Sequence, residues 1–213
     1  MKARRALDCL APLGIDAETL SAVAHNLAME NGLLRQAVRE ALDGKVDEVL
    51  GSLAIDPRAF RRMRAEVQRR FLTAAIGWIA GGDYAPRADA VRAFGIALAE
   101  GRTHTLAGVI GWTWKGGLWL AREPQAVKEA TGNPFDGRWR IGGPVEEGQE
   151  IRALGEDGLN ALPDWRDLGF PRRALLALPA VWEGENLVSA PLLEPESPYN
   201  ATLLRPRFDN WLG

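Results

Sequence analysis

Reactive side chains are scarce in this chain: of 213 residues, one is a cysteine and two are histidines. A lone Cys9 excludes an internal disulfide framework and a cysteine-rich zinc site, and it fits a reducing compartment. His25 and His104 lie far apart, with no metal-ligand spacing and no nucleophile–base pair, so both are read as structural or surface histidines. The phosphate-loop pattern GxxxxGK followed by Ser or Thr, the dinucleotide pattern GxGxxG and the metalloprotease pattern HExxH do not occur. The glycine pairs at 81–82, 116–117 and 142–143 read as a helix stop and turns. Asp56, Asp136 and Asp157 each stand beside Pro or Gly, which marks caps and turns before general acids. No catalytic residue and no metal ligand is therefore assigned, and no cofactor is expected in this chain. No apolar run is long enough to span a bilayer. The basic N-terminus, MKARRALDCLAPLG, is broken by Asp8 and Pro12 and does not read as a signal peptide, so a cytoplasmic protein without a membrane partner is expected. The net charge of −2 carries no whole-chain signal for nucleic acid, and any basic surface must be local.

What is present is an ordinary globular composition, 46% hydrophobic and 25% charged, with eight tryptophans. Residues 1–101 read as almost wholly helical. Two turns are expected over Arg4–Ala11, ended by Pro12 and Gly14. Asp16 caps a helix with Leu20, Val23, Leu27, Leu34, Val38 and Leu42 near a 3.6-residue period, stopping at Gly44. Val46–Ile55 reads as a loop with at most one short strand. Asp56-Pro57 then opens a helix that Gly81-Gly82 closes, its apolar stripe being Phe60, Met63, Val67, Phe71, Ala75 and Trp78. Pro86 starts another helix, with Val91, Phe94 and Leu98 inward.

After Gly101 the period changes from helical to alternating. Thr103–Trp114 and Leu118–Arg122 form a hairpin around Lys115-Gly116-Gly117. Asp136-Gly137 precedes Arg138-Trp139-Arg140-Ile141, in which the two arginines share one strand face. Ile151–Leu154 is a further short strand, and Leu159–Leu168 is irregular or weakly helical. Pro171 opens a short basic helix with Arg172 and Arg173 in its first turn, and Pro179 ends it. Ala180–Trp182 and Leu187–Ala190 flank a tight turn, with Leu175, Leu178, Val181, Trp182 and Val188 as core. The expected fold is α+β: an all-α domain over 1–101, a β-rich domain with hairpins over 102–193, and a tail over 194–213. Trp112, Trp114, Trp119 and Trp139 are read as core, with base stacking the less favoured role.

The strongest positive signal is basic. Residues 58–70 hold six arginines, no lysine and the single acid Glu66. Arg58, Arg61, Arg62 and Arg69 recur at helical spacing as one ridge, which points to phosphate contact. Arg138 with Arg140, and Arg172 with Arg173, are smaller clusters that extend the candidate RNA-binding set.

The order of these segments carries a family resemblance. ARRALDCLAPLGID, then PRADAVRAFGIALAEGRTHTLAGVIGWTWKGGLWLAREP, FDGRWRI, GEDGL and FPRRALLALPAVWEGENLVSAPL resemble, in sequence order, the C-terminal region of bacterial tRNA(Ile)-lysidine synthetases. The family joins lysine to the wobble cytidine of an AUA-reading isoleucine tRNA through an adenylated intermediate. Its ATP-pyrophosphatase domain opens with an SGGxDS loop, and no such loop occurs here. The resemblance therefore implies a non-catalytic portion that holds tRNA, with ATP and magnesium belonging to the absent N-terminal catalytic domain. That domain, a tRNA and a second copy of the chain are the expected partners. The alternative is an interaction module that does not bind RNA.

Overall fold

The computed structural model describes residues 9–82 and 85–212. The helix expected over Arg4–Ala11 falls mostly outside them, and a single tight turn spans Ala11–Leu13. Asp16 caps α1 (Ala17–Leu42): its carboxylate accepts from the Thr19 amide at 2.8 Å, which satisfies one of the orphan donors of the first turn. Of the apolar stripe, only Val38 and Leu42 are buried, while Leu20, Val23 and Leu27 stay exposed because residues 17–33 run past the body of the protein.

Val46–Ile55, expected as a loop, is a complete hairpin of β1 (Val46–Val49) and β2 (Ser52–Ile55), turning at Leu50-Gly51. The long helix expected from Pro57 to Ala80 is two, α2 (Pro57–Arg62) and α3 (Ala65–Ala80), with Met63 and Arg64 extended between them. No Gly or Pro announces this break; core packing explains it. A continuous helix would hold residues 60 and 71 about 16 Å apart along its axis. Instead the rings of Phe60 and Phe71 meet edge to face with centroids 6.2 Å apart. The chain continues into α4 (Ala88–Ala99), with Val91, Phe94 and Leu98 buried as expected.

The segment 103–114 is not one strand but two, β3 (His104–Leu106) and β4 (Val109–Trp114), since Ala107-Gly108 turn with positive φ. With β5 (Gly117–Arg122) they complete an antiparallel sheet of order β1-β2-β5-β4-β3. Alternation decides its faces. Leu118 and Leu120 join the core under α3 and α4, and Trp112, Trp119 and Ala121 form a smaller cluster on the opposite face. Gly111 lets α4 lie close on the sheet, for a Cβ there would stand 2.6 Å from Leu98 Cδ2. The sheet takes strands from both sides of Gly101, so residues on each side of that expected boundary share one core.

Beyond Arg122 a second core forms around β7 (Gln149–Ala153), β8 (Pro179–Glu183) and β9 (Asn186–Ser189), with α5 (Gly155–Ala161) and α6 (Arg172–Leu175). Leu175, Leu178, Val181 and Trp182 are buried there, whereas Val188 is exposed. The tail is not loose. β10 (Asn200–Leu203) pairs with β6 (Trp139–Gly142), and α7 (Phe208–Trp211) docks back on the first core. Phe208 packs edge to face on Phe71 and Trp78, with centroids 6.0 Å and 5.7 Å away, and the Trp78 indole N–H donates to the Pro206 carbonyl at 2.8 Å. The architecture is α+β, a largely helical N-terminal region followed by a β-rich one.

The two cores are locked by arginines. Arg122 forks onto Asp136 through Nε–Oδ2 at 2.8 Å and Nη2–Oδ1 at 2.9 Å, and its Nη1 donates to the Gly108 carbonyl at 3.0 Å. Both partners are largely buried. Removing the charge from one member of such a pair strands the other in low dielectric. Asp136→Asn keeps a residue tolerant of the positive φ found there, and it is expected to lower stability by roughly 3 kcal/mol. Urea unfolding checks this; an unchanged midpoint would show that the pair contributes nothing.

Candidate nucleic-acid interface

The arginines expected to form one ridge are split by the break at Met63-Arg64. Arg58, Arg61 and Arg62 project from α2 into solvent, α2 being started by Asp56, whose carboxylate accepts from the Arg58 and Ala59 amides. These bonds to the charged form, the Arg58 amide first, hold the Asp56 carboxyl below its ordinary value. Arg69 sits half-buried on α3, turned to a different partner. Its Nε and Nη2 donate to both oxygens of Glu66, at 2.8 Å and 2.6 Å, and Arg70 Nε donates to the same carboxylate at 2.9 Å. Arg69 is thus pre-oriented but already engaged, while the three arginines of α2 enter no ion pair among the described residues.

The remaining candidates separate in the same way. Arg138 is only 2% exposed: the tight turn at Asp136-Gly137, both with positive φ, carries through Arg138, so the strand begins at Trp139. Its Nη2 donates to the Gly51 carbonyl at 2.7 Å. Burial pushes its guanidinium down to about 10, opposed by the nearby Asp136 charge. Arg138 therefore cannot reach a ligand on the surface, and the pairing with Arg140 read from strand alternation does not exist. Arg140 is exposed on β6. Arg172 and Arg173 are exposed on α6, the first paired with Glu156 and the second donating to the Thr103 hydroxyl at 3.2 Å. The surface set is thus Arg58, Arg61, Arg62, Arg140, Arg172 and Arg173, with Arg69 at the edge of a notch described below.

Two further arginines, Arg35 and Arg70, line one pocket with Arg69. Arg70 lies off the ridge counted by spacing, and Arg35 is on a different helix that only tertiary packing brings to α3. Trp112, Trp119 and Trp139 are buried, and Trp114 is half-buried against Trp119. His25, His104 and Cys9 are exposed, and no group of three or more His, Cys, Asp or Glu suited to a metal ion occurs among the described residues. No helix among the described residues is long and apolar enough to cross a membrane.

Glu66 is the electrostatic hinge of this face. The Arg69 hydrogen bonds, then those of Arg70, hold its carboxyl down at about 2. A carboxyl lowered in the folded state stabilises above its ordinary value near 4.5, and that contribution fades as pH falls toward about 2. Side-chain carboxyl NMR titration is expected to place Glu66 well below other exposed glutamates. Arg69→Ala should return it most of the way, and a normal value in the unaltered protein would refute the double fork.

No family model matches the chain. Over 205 residues it is 42% identical to the tRNA(Ile)-lysidine synthase of Ruegeria pomeroyi, a match covering 90% of the chain and 46% of that protein. The chain thus spans about half the length of its relative, consistent with a C-terminal portion. The similarity to lysidine synthetases inferred from the ordered segments is real.

Proposed function

We propose that this chain is the tRNA-holding portion of a tRNA(Ile)-lysidine synthetase. In the whole enzyme, lysine would be ligated to the wobble cytidine of an AUA-reading isoleucine tRNA, with ATP and magnesium held by the N-terminal catalytic domain outside this chain. The observation that carries the reading is 42% identity over nine-tenths of the chain with one tRNA(Ile)-lysidine synthase. The chemistry of the surface agrees with it. Guanidiniums on α2 stand in water where they can form forked bonds to phosphate, and counterion release would make such binding salt-dependent.

Filter binding or fluorescence anisotropy with purified tRNA across a salt series provides the test. Affinity is expected to fall steeply with salt, and Arg61→Ala and Arg62→Ala should each reduce the slope of log affinity against log salt by up to about 0.9. Arg138→Ala should instead lower stability. Glu66→Gln should tighten binding, since it releases Arg69 and Arg70 from their carboxylate. Absence of any salt-sensitive affinity for tRNA would refute the proposal for this chain.

A second reading rests on a different surface. Leu20, Val23 and Leu27 form an exposed apolar stripe on α1, the kind of face that docks on a protein. In this reading the chain is an interaction module whose stripe meets the catalytic domain or a second copy. Sedimentation at several concentrations, with and without tRNA, separates the two: self-association abolished by Leu27→Glu, without RNA affinity, would favour the module.

A further inference from the structure

The place where α1 leaves the body forms an open notch against α3 and α7. Its volume is about 340 Å³ and its walls include Arg35, Arg69, Arg70, Thr73 and Trp211. That volume lies within the roughly 300–1,000 Å³ range of small-ligand pockets. No acidic side chain lines it. Glu66, just outside, is shared by Arg69 and Arg70, and Arg35 enters no ion pair among the described residues. Among the described residues, the three guanidiniums of the notch have one paired carboxylate between them, Glu66. Arg70 is further oriented from α1, its Nη1 donating to Asn31 Oδ1 at 2.9 Å.

Trp211 supplies what a simple anion patch lacks. It is 38% exposed although it sits at the end of a docked helix. Its indole N–H donates to the Ala74 carbonyl at 3.1 Å, and the Arg205 guanidinium stands 5.9 Å from the ring centre. The ring lies against Gly77 on α3, where a Cβ would come into ordinary van der Waals contact at 3.6 Å. The indole is therefore held in one orientation with much of its surface open. An aromatic plane beside a cluster of guanidiniums is the combination that holds single-stranded nucleic acid, the base stacking on the ring while the phosphate is met by the cations.

We propose that this notch seats one unpaired nucleotide of a bound RNA, with its phosphate among Arg35, Arg69 and Arg70 and its base against Trp211. The nucleotide must be unpaired because a base inside a helix offers no free face to an indole. The inference rests on the reading that the chain binds RNA, and it adds a second contact region to the exposed arginines of α2. With both engaged, the arginines of α2 would hold the backbone while the notch registers a strand end or a splayed loop.

The test uses the full chain, with a short single-stranded RNA and an abasic strand of the same length as probes. The two strands carry equal phosphate charge but differ in bases. The unaltered chain is expected to bind the strand with bases about tenfold more tightly, since a base stacked on the indole adds to the phosphate contacts that both strands make. Trp211→Ala should erase that preference and Trp211→Phe should retain most of it. Arg35→Ala, on an exposed side chain, should weaken both strands alike and leave their ratio unchanged. Arg58→Ala, outside the notch, should also leave the ratio intact. A melting temperature for each variant identifies any that fail to fold. Equal affinity of the unaltered chain for both strands, or a preference that survives Trp211→Ala, would overturn the notch while leaving tRNA binding by α2 standing. Loss of all RNA affinity in the unaltered chain would overturn both.

Discussion

The Arg138 guanidinium donating to the Gly51 carbonyl is the contact on which the arrangement of the molecule depends. A charge this deeply buried is costly unless it is hydrogen-bonded and has a counter-charge near it. Gly51 supplies the acceptor and Asp136 the compensating charge, and Asp136 is itself gripped by Arg122. The three side chains and one carbonyl come from the β1–β2 turn, the end of β5 and the turn before β6, so these contacts tie the two cores together, although the buried Arg138 Nε has no hydrogen-bond partner among the described residues. Gly51 is needed for the same reason. Its φ of +67° suits glycine, and a Cβ would stand 2.6 Å from the buried Trp139 ring.

That lock also sorts the arginines. Those that hold the protein together, Arg122 and Arg138, are withdrawn from solvent and spent on carbonyls and a carboxylate. The arginines of α2 have no such partners among the described residues and remain in water, where an ion pair would contribute little to stability. Arg69 and Arg70 lie between these extremes. Glu66 orients them without burying them, and so keeps their forks in a defined geometry at the mouth of the notch.

The C-terminal segment performs a comparable closure. After pairing with β6 it crosses back to α3, where Phe208 completes an aromatic row with Phe71 and Trp78, and its amide donates to Glu48 Oε1 at 2.6 Å. Phe208 and Leu212 therefore belong to the first core, and the segment carries Trp211 to the notch. The sequence hints at this only in Phe208 and Trp211, near the end of a tail that holds three prolines.

Local signals determined much of what is seen: the Asp16 and Asp56 caps, the inward faces of α3 and α4, the turn at Lys115-Gly116, the β8–β9 hairpin and the ordered segments that mark the relationship to lysidine synthetases. These depend on residues a few positions apart, or on order along the chain, and both are readable without a fold. Tertiary packing decided the rest. It broke the helix at Met63-Arg64, because Phe60 and Phe71 reach one core only if the chain bends. It carried the sheet across Gly101, because β2 finds its partner in β5, more than sixty residues later. It buried Arg138 and brought Arg35, Arg70 and Trp211 to one notch. A side chain's charge is a property of sequence, but whether it faces water, a carbonyl or a neighbouring helix is set by what distant residues enclose.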